Sequence, residues 1–314
     1  MGKCLVTKLQ GKVSGDLPYF GALKITVKKT DNITLATQRR LVLKTTDDNC
    51  RIFTADGSSK LSDKEDLSNP SSSFVYKDMH HETGGDNRRE IYFLDGDYTV
   101  LITSKYNIAM LSHWGQSGNF FFDIEELKYS HLLTEIRVGK LKGLTGDISS
   151  LSGLTKLANL TLDGSYVTGD ISSLKDLTAL TYLSFSAPNI TGDISSLSGL
   201  TKLANLTLDG SYVTGDISSL KDLTALTYLS LNDDLKVIGT FESLVSALSA
   251  KRTSGSCLYW LSGSNITYNG ERWITGKKFV EFNSGGCNVY DGTDNTGKKI
   301  ASYVKSTSSW SYID

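Results

Sequence analysis

The sequence predicts a multidomain protein with three parts: an amino-terminal antiparallel β domain (1–112), a central solenoid of parallel strands with short helical turns and cap helices (113–255), and a carboxy-terminal β-rich module (256–314). Three observations predict it. The tetrapeptide Gly-Asp-Ile-Ser begins at residues 146, 169, 192 and 215, every 23 residues. The first region instead alternates apolar and polar residues, and the last is rich in Tyr, Trp, Ser and Gly. A period between about 20 and 50 residues indicates a solenoid.

The amino-terminal region contains no internal copies, and its short alternating runs predict strands. In IYFLDGDYTVLI (91–102), Asp-Gly separates two such runs, which predicts a β-hairpin with Asp-Gly in its turn. Residues 56–89 are rich in Ser, Asp and Gly and predict a long mobile loop. The predicted strands are 22–29, 40–44, 90–94 and 98–103.

The central region repeats itself closely. Forty residues, Thr145–Ser184, recur without change as Thr191–Ser230. Within each unit the apolar residues follow LxxLxL, beginning with a degenerate copy at Leu133, Ile136 and Val138. The LxL core predicts a short strand that turns alternate side chains inward. One unit cannot bury its leucines alone, but stacked units bury them in a continuous ladder.

Each repeat also carries an aspartate in Gly-Asp-Ile-Ser, and two interpretations are open. Each carboxylate can cap a helical turn by accepting backbone N–H bonds. Stacked about 4.8 Å apart along one edge, the carboxylates could instead recruit a cation. We favour the capping interpretation. The four residues are Asp147, Asp170, Asp193 and Asp216.

Helices are predicted at both ends of the solenoid, where terminal repeats need caps. Near 123–131, Asp123 and Glu126 have the spacing of a capping box. Near 240–252, Thr240 is a suitable N-cap before a run of apolar residues at helical spacing. These helices should close the two open ends of the leucine ladder.

The carboxy-terminal module contains the apolar segments CLYWL, KFVEF, CNVYD and KIASYV, which predict strands. They either extend the solenoid sheet or pack as a separate module. The cysteines Cys4, Cys50, Cys257 and Cys287 form no CxxC pair, which predicts reduced and mostly buried thiols. A disulfide between Cys257 and Cys287 is the open alternative.

Several function classes lack residues to support them. The cluster His80–His81–Glu82, with Asp86 nearby, resembles a metal site, but adjacent histidines point apart and a solvated loop is the preferred interpretation. No nucleophile–base pair or phosphate-binding loop occurs, so we predict a protein that is not an enzyme and has no cofactor or metal. The net charge of −1 without a basic stripe predicts no nucleic-acid binding. No apolar run is long enough to predict a membrane span, and the amino terminus has no apolar region typical of a secretion signal.

The concave face of the predicted solenoid is the candidate binding surface. Residues flanking the second leucine of LxxLxL point away from the core, and they are small and polar apart from two tyrosines. Tyr and Asn are adaptable contact residues, and the set repeats every second strand, about 9–10 Å. This spacing suits a glycan or a repetitive partner. Alternatively, recent duplication copied positions that bind nothing. The candidate binding residues are Asn159, Thr161, Asp163, Tyr182, Ser184, Asn205, Thr207, Asp209, Tyr228 and Ser230.

The LxxLxL pattern across Leu133–Asn232 resembles that of leucine-rich repeat proteins, and the resemblance implies their solenoid fold. That family usually places Asn eight residues after the first leucine, where its amide bonds neighbouring turns. Here the position holds Ser165, Pro188, Ser211 and Asp234, which predicts a looser convex turn.

A second resemblance concerns the setting. The motif TGDISSL is similar to repeats in proteins of gut Bacteroidota and their phages. The segment KCLVTKLQGKV, followed by GALKITV, resembles the amino-terminal domain of appendage proteins in crAss-like phages. This implies a virion structural protein, a head or tail fibre made in the host cytoplasm. Residues 1–112 would hold other virion proteins and the repeats would bind a host-surface glycan or protein, with homo-oligomerisation left open. The alternative is a bacterial leucine-rich repeat adhesion or scaffold protein at the cell surface.

Overall fold

The structure is a computed structural model that describes residues 23–27, 40–45, 52–54, 74–78, 88–93, 98–102, 108–114 and 120–313, apart from 142, 232–235, 262–264, 273–276 and 293–296. The described residues form strands, short 3-10 helices and one α-helix, α1 (Phe241–Lys251). The 3-10 helices are Ile124–Leu127, Ile148–Leu151, Ile171–Leu174, Ile194–Leu197 and Ile217–Asp222.

The strands are numbered in chain order. They are β1 Leu23–Val27, β2 Arg40–Thr45, β3 Ile52–Thr54, β4 Phe74–Asp78, β5 Arg88–Phe93, β6 Tyr98–Ile102, β7 Ile108–Trp114, β8 Phe120–Asp123, β9 Glu135–Gly139, β10 Leu144–Thr145, β11 Asn159–Asp163, β12 Gly169–Asp170, β13 Tyr182–Ser184, β14 Ile190–Asp193, β15 Asn205–Thr207, β16 Tyr212–Asp216, β17 Tyr228–Ser230, β18 Lys236–Thr240, β19 Ser256–Trp260, β20 Asn265–Tyr268, β21 Glu271–Arg272, β22 Lys277–Asn283, β23 Gly286–Asp291, β24 Lys299–Val304 and β25 Ser309–Tyr312.

Among the described residues, a 14-stranded sheet, here named the long sheet, has the order β25-β24-β23-β22-β19-β17-β15-β13-β11-β9-β7-β2-β5-β4. The strands of the repeats lie at its centre and pair in parallel, which confirms the predicted solenoid of leucine-rich repeat architecture. β7 and β19 continue the parallel pairing on either side. Beyond them the pairing is antiparallel.

A second parallel sheet has the order β12-β14-β16-β18-β20-β21, and the period of the repeat did not predict it. Strands β12, β14 and β16 come from the Thr-Gly-Asp segments that precede three of the 3-10 helices, so each of these repeats contributes one strand to each sheet. Strand β18 leads into α1, and β20 and β21 belong to the carboxy-terminal residues. Apolar residues of both sheets, such as Leu160 and Val213, are fully buried in one continuous core. The solenoid is therefore a flattened coil with the leucine ladder between the two sheets.

The ladder is in register along the solenoid. Leu160 lies opposite Leu183, which lies opposite Leu206, which lies opposite Leu229. All four side chains are fully buried. Burial of a leucine side chain contributes about 1.5–3 kcal/mol, and each unit gains it only because neighbours cover its two sides.

The amino-terminal strands extend both layers of the solenoid, and two predictions there are wrong. β5 pairs with β2 and β4, whereas β6 pairs with β1 and β3. The predicted hairpin at 91–102 therefore does not form, since both strands pair with other segments of the chain instead. The predicted loop 56–89 contains strand β4, and its remaining residues up to 87 lie outside the described residues.

The prediction of a cap helix near 123–131 is also wrong. Only Ile124–Leu127 is helical, as a 3-10 helix, and the N–H of Glu125 donates to the Asp123 carboxylate at 2.9 Å. The helix stacks on the next 3-10 helix as the first member of a column instead of closing the solenoid. Strands cover that end instead, since β8 pairs with β10 on one side and with β1 on the other.

At the other end, the predicted cap helix is confirmed as α1. Its N-cap is Thr240, whose hydroxyl accepts from the N–H of Ser243 at 3.1 Å. The Phe241 ring packs edge-on against Tyr259, and Trp310 donates its indole N–H to the Ser246 hydroxyl at 3.0 Å. The helix is thus enclosed between the last repeat and the carboxy-terminal strands.

The carboxy-terminal segments form strands as predicted, and they extend the long sheet. β7, Ile108–Trp114, likewise crosses the predicted boundary at residue 112 without interrupting this sheet. The division into three domains therefore stays a prediction, while the sheet and the core are continuous across both boundaries.

Cys257 and Cys287 are buried free thiols. β22 separates their strands and the two cysteines are out of register by two residues, which places their Cα atoms more than about 9.6 Å apart, beyond the roughly 7 Å that a disulfide tolerates. Burial raises the pKa of Cys257 to about 12 and that of Cys287 to about 11. Both are therefore thiols at neutral pH. Cys4 and Cys50 lie outside the described residues.

Candidate binding face

The face of the long sheet that turns away from the 3-10 helices is here named the open face, and it is the surface predicted to be concave. On each repeat strand the leucines point into the core, so the residues between them belong to this face. The predicted columns are in register. One consists of Glu135, Asn159, Tyr182, Asn205 and Tyr228, and the next of Arg137, Thr161, Ser184, Thr207 and Ser230.

Some of the predicted binding residues are accessible to a ligand and others are buried. Tyr182 is 38% exposed, and the Asn159 and Asn205 side chains are half-buried. Three of the predicted contact residues are almost fully covered: Thr161, Ser184 and Ser230 are exposed by 3%, 4% and 1%. Their hydroxyls have little surface to offer a ligand, so they act as supports beneath the exposed side chains.

Two of these buried hydroxyls, those of Ser184 and Ser230, hold an aspartate side chain by a hydrogen bond. The Ser184 hydroxyl donates to Asp163 Oδ1 at 2.9 Å, and the Ser230 hydroxyl donates to Asp209 Oδ1 at 3.0 Å. Each bond joins one repeat to the next and fixes a carboxylate at the edge of the open face. The two copies of the repeat thus build the same aspartate–serine pair twice, two strands apart.

The carboxylates and tyrosines of this face influence one another. Burial raises the pKa of Asp163, although hydrogen bonds from the Ser184 hydroxyl and the Ser186 N–H oppose the rise. Burial also raises the pKa of Tyr228, the hydrogen bond with Ser230 opposes this, and the carboxylate of Asp209 adds to it. Tyr228 is therefore a neutral phenol, which can both donate and accept a hydrogen bond.

Sequence reasoning ended the face at Asn232, but the sheet continues it. Leu258 lies opposite Tyr228, Phe279 opposite Leu258, and Tyr290 opposite Phe279. Trp260 lies opposite Ser230 in the next column. These four apolar side chains are half-buried and point away from the core. The available signal was that CLYWL and KFVEF carry apolar residues at both alternating phases, which indicates a strand with apolar side chains on both faces.

The second sheet carries the aspartates of Gly-Asp-Ile-Ser, and the capping interpretation is confirmed for all four. Each carboxylate accepts from the N–H two residues later at 2.8 Å, as Asp193 does from Ser195. Hydrogen bonds from the Ser195 hydroxyl and then from the Ser195 N–H lower the pKa of Asp193. Each aspartate also lies over the glycine of the next unit: a Cβ on Gly192, whose φ is +106°, would fall 2.4 Å from Asp170 Oδ1.

The expected asparagine positions are filled differently from one unit to the next. Ser165 and Ser211 are buried, and their hydroxyls donate to the carbonyl groups of Leu162 and Leu208 at 2.9 Å. Pro188 is exposed, and Ala187 occupies the buried place in its turn. Asp234 lies outside the described residues.

The metal-like cluster of the sequence falls in a part of the chain that the structure does not describe. His80, His81, Glu82 and Asp86 lie outside the described residues. Within the described ranges, no three His, Cys, Asp or Glu side chains are grouped closely enough to hold a metal ion. None of the helices in this part of the chain has the length and apolar character needed to cross a membrane.

Comparison with known proteins gives only distant similarity. No family model matches the chain, and none of the curated proteins matches it. Among solved structures, a TDR receptor aligns at 22% identity over 49% of this chain and 26% of the receptor chain, with a TM-score of 0.38. An internalin from Listeria monocytogenes aligns at 18% identity over 46% of this chain and 65% of the internalin, with a TM-score of 0.18.

The leucine-rich repeat ectodomain of the plant membrane receptor kinase GASSHO1/SCHENGEN3 from Arabidopsis thaliana, solved in complex with CASPARIAN STRIP INTEGRITY FACTOR 2, aligns at 18% identity. The alignment covers 45% of this chain and 20% of the ectodomain, with a TM-score of 0.32. This chain spans less than two thirds of each of these three proteins. Its leucine-rich repeat architecture follows from its own register of parallel strands and stacked 3-10 helices.

Proposed function

We propose that this protein is a binding module that attaches to a surface partner through the open face, without catalysis and without a cofactor. One observation carries the proposal. The two identical copies place the same asparagine, tyrosine and aspartate on one face, in register and two strands apart. A solenoid stacks its units so that a copied contact becomes a second contact, and two linked contacts increase avidity.

The setting that we propose is a phage virion, with the repeats directed outward to a glycan or protein of the host surface and residues 1–112 held by other virion proteins. The support is the resemblance of the amino-terminal segment to crAss-like phage appendage proteins, together with the contrast between a unique first region and a copied central one. Of that segment, the structure describes β1. Copying lengthens a solenoid without altering the remainder of the chain.

Binding to cells tests the module. Fluorescently labelled full-length protein should bind cells of gut Bacteroidota, and Tyr182→Ala with Tyr228→Ala should weaken this binding by about tenfold or more, as expected for central aromatic contacts. The matched control is Tyr166→Ala with Tyr212→Ala. These tyrosines come from the same two copies, are 53% and 50% exposed, and belong to the segments of the second sheet. Equal loss in both double variants would contradict an assignment to the open face.

The virion assignment has its own test. Mass spectrometry of purified phage particles should detect the protein, and gold labels on its two termini should place the carboxy terminus farther from the capsid or tail. Absence from particles, with presence on bacterial cells, would favour an adhesion protein instead. A label order opposite to the expected one would reverse the proposed polarity.

A further inference from the structure

The carboxy-terminal strands present a row of apolar side chains that the core does not use. On β19, Cys257 and Tyr259 point into the core, so Leu258 and Trp260 face the other way. On β22 and β23 the inward residues are Val280 and Val289, which leaves Phe279 and Tyr290 on the open face. The ring centroids of Phe279 and Tyr290 are 6.2 Å apart, within the range of an aromatic pair.

This row continues the tyrosine column of the repeats. The register runs from Tyr182 through Asn205, Tyr228, Leu258 and Phe279 to Tyr290 without interruption. The column crosses six neighbouring strands, from β13 to β23, so its length is about 24 Å. The surface is therefore a strip perpendicular to the strands, in which Tyr182, Asn205 and Tyr228 of the repeats are followed by the carboxy-terminal Leu258, Phe279 and Tyr290.

We propose that this strip binds a neutral linear polysaccharide that lies across the strands, with the carboxy-terminal aromatic residues forming the second half of the site. The inference rests on the proposed function, since it names the ligand class of the same face. It extends that function by assigning a role to Trp260, Phe279 and Tyr290. Aromatic rings offer flat apolar faces for the C–H side of a sugar ring, while the polar tips of tyrosine remain available to hydroxyl groups.

The charges on the strip favour a neutral ligand. Lys277 Nζ lies 4.5 Å from the centroid of the Trp260 ring, and Glu281 accepts a hydrogen bond from the Tyr290 hydroxyl at 3.1 Å. Two strands beyond the other end of the strip, Arg137 pairs with Glu135 at 3.2 Å. These lysine, arginine and glutamate side chains thus each contact a neighbouring aromatic or charged side chain. The described part of the strip has no cluster of one sign that would attract a polyanion or a highly charged peptide.

The duplication favours a ligand that repeats. The pair Asn159 and Asp163 recurs as Asn205 and Asp209, two strands or about 9.6 Å farther along. A linear polysaccharide presents the same hydroxyls and ring faces at regular intervals, whereas the surfaces of most folded proteins do not repeat. Amide groups can donate to and accept from hydroxyls, and carboxylates accept from them.

Affinity electrophoresis of the full-length protein tests the ligand class. Native gels would contain a β-linked glucan, a mannan or a xylan, with alginate as the anionic comparator. At least one neutral polymer should retard the protein, and alginate should not. For the oligosaccharides of that polymer, affinity measured by calorimetry should rise with chain length until the chain reaches about 24 Å.

Variants test the extent of the site. Trp260→Ala with Phe279→Ala should weaken polysaccharide binding by about tenfold or more, and Tyr166→Ala with Tyr212→Ala should leave it unchanged. If the alanine variant fails to unfold cooperatively, Trp260→Leu with Phe279→Leu keeps apolar volume, removes the rings and should show the same loss. Full affinity in the leucine variant overturns the role of the carboxy-terminal strands.

Failure of this inference and failure of the proposed function are distinguishable. No retardation by any of the neutral polymers, or equal retardation by alginate, overturns the polysaccharide assignment. Cell binding that depends on Tyr182 and Tyr228 and disappears after protease treatment of the cells also overturns it, since the ligand would then be a protein, while the proposed function stands. Absence of any binding to cells counts against the proposed function itself.

Discussion

The two identical copies, Thr145–Ser184 and Thr191–Ser230, have one sequence but not one structure. Strand β11 has five residues and the corresponding β15 has three. Each copy contains two 3-10 helices; the second helix ends at Leu174 in the first copy, whereas it extends to Asp222 in the second copy. Thr161 is buried and the corresponding Thr207 is half-buried.

The neighbours cause these differences. The first copy is stacked on the degenerate unit at 135–139, and the second is followed by α1 and the carboxy-terminal strands. The longer 3-10 helix contacts α1, where Asp222 forms an ion pair with Lys251. A repeat therefore sets its own capping and core positions, while strand length and exposure depend on what lies beside it. The variants below test this division, from the largest expected effect to the smallest.

Ending the chain after residue 231 should have the largest effect, because the second copy would no longer fold as a covered unit that can be compared with the first. The second copy would lose α1 and β19, which would expose Leu229 and Leu231, both fully buried in the complete chain. An open solenoid end exposes the leucine ladder and aggregates because terminal repeats need a cap. Size-exclusion chromatography and thermal unfolding by circular dichroism would show it. A monomeric fragment that unfolds cooperatively would contradict a capping role for the residues beyond 231.

Core substitutions should affect both copies equally. Leu160→Ala and Leu206→Ala each remove a fully buried side chain of the same ladder, and each should lower the free energy of unfolding by about 2–5 kcal/mol. Chemical denaturation of both variants measures the difference. If one copy tolerated the change far better than the other, the ladder would not be a uniform stack.

Alanine substitutions at two equivalent glycines should lower the stability of the protein by different amounts in the two copies. Gly164 and Gly210 both have φ of +67°, where an alanine costs roughly 1–2 kcal/mol. A Cβ on Gly164 would also fall 3.3 Å from the Cα of Lys140, whereas a Cβ on Gly210 would meet nothing within 4 Å. Gly164→Ala should therefore destabilise the protein more than Gly210→Ala. The reverse order in denaturation experiments would show that the neighbouring turn adjusts freely.

The smallest effect concerns the ion pair. Asp222→Asn should lower the free energy of unfolding by about 0.2–1 kcal/mol at low salt, because Asp222 and Lys251 are both exposed. The equivalent Asp176→Asn in the first copy serves as the control, since α1 lies beside the second copy. Added salt should reduce the effect of Asp222→Asn. Identical, salt-independent effects in both variants would mean that α1 does not distinguish the copies.

Most of the repeat could be predicted from the sequence. The aspartate of Gly-Asp-Ile-Ser bonds an N–H two residues away, and Thr240 bonds one three residues away. Such contacts require only local chain geometry, so they can be predicted from the neighbouring residues in the sequence. The 23-residue period likewise predicted the parallel strands and the register of the open-face columns, because stacked identical units align identical positions.

Pairing between distant segments could not be predicted in the same way. The Asp-Gly sequence between β5 and β6 indicated a hairpin, yet the two strands belong to different sheets. Burial of Thr161, Ser184 and Ser230 depends on the side chains around them. Periodicity also missed the second sheet, because its strands within the repeats contain Gly-Asp and too few apolar residues to indicate a strand.

By itself, the sequence determined the stacked units, the aspartate caps of their 3-10 helices and the column of asparagines and tyrosines, because each depends on contacts within one repeat or between identical neighbours. The tertiary structure alone decided how far the sheet extends. Main-chain hydrogen bonds between β17 and β19, and then between β19 and β22, carry no signature in the repeat. These pairings place Trp260 and Phe279 on the same face as Tyr228, because strands in register turn their side chains to the same side of a sheet.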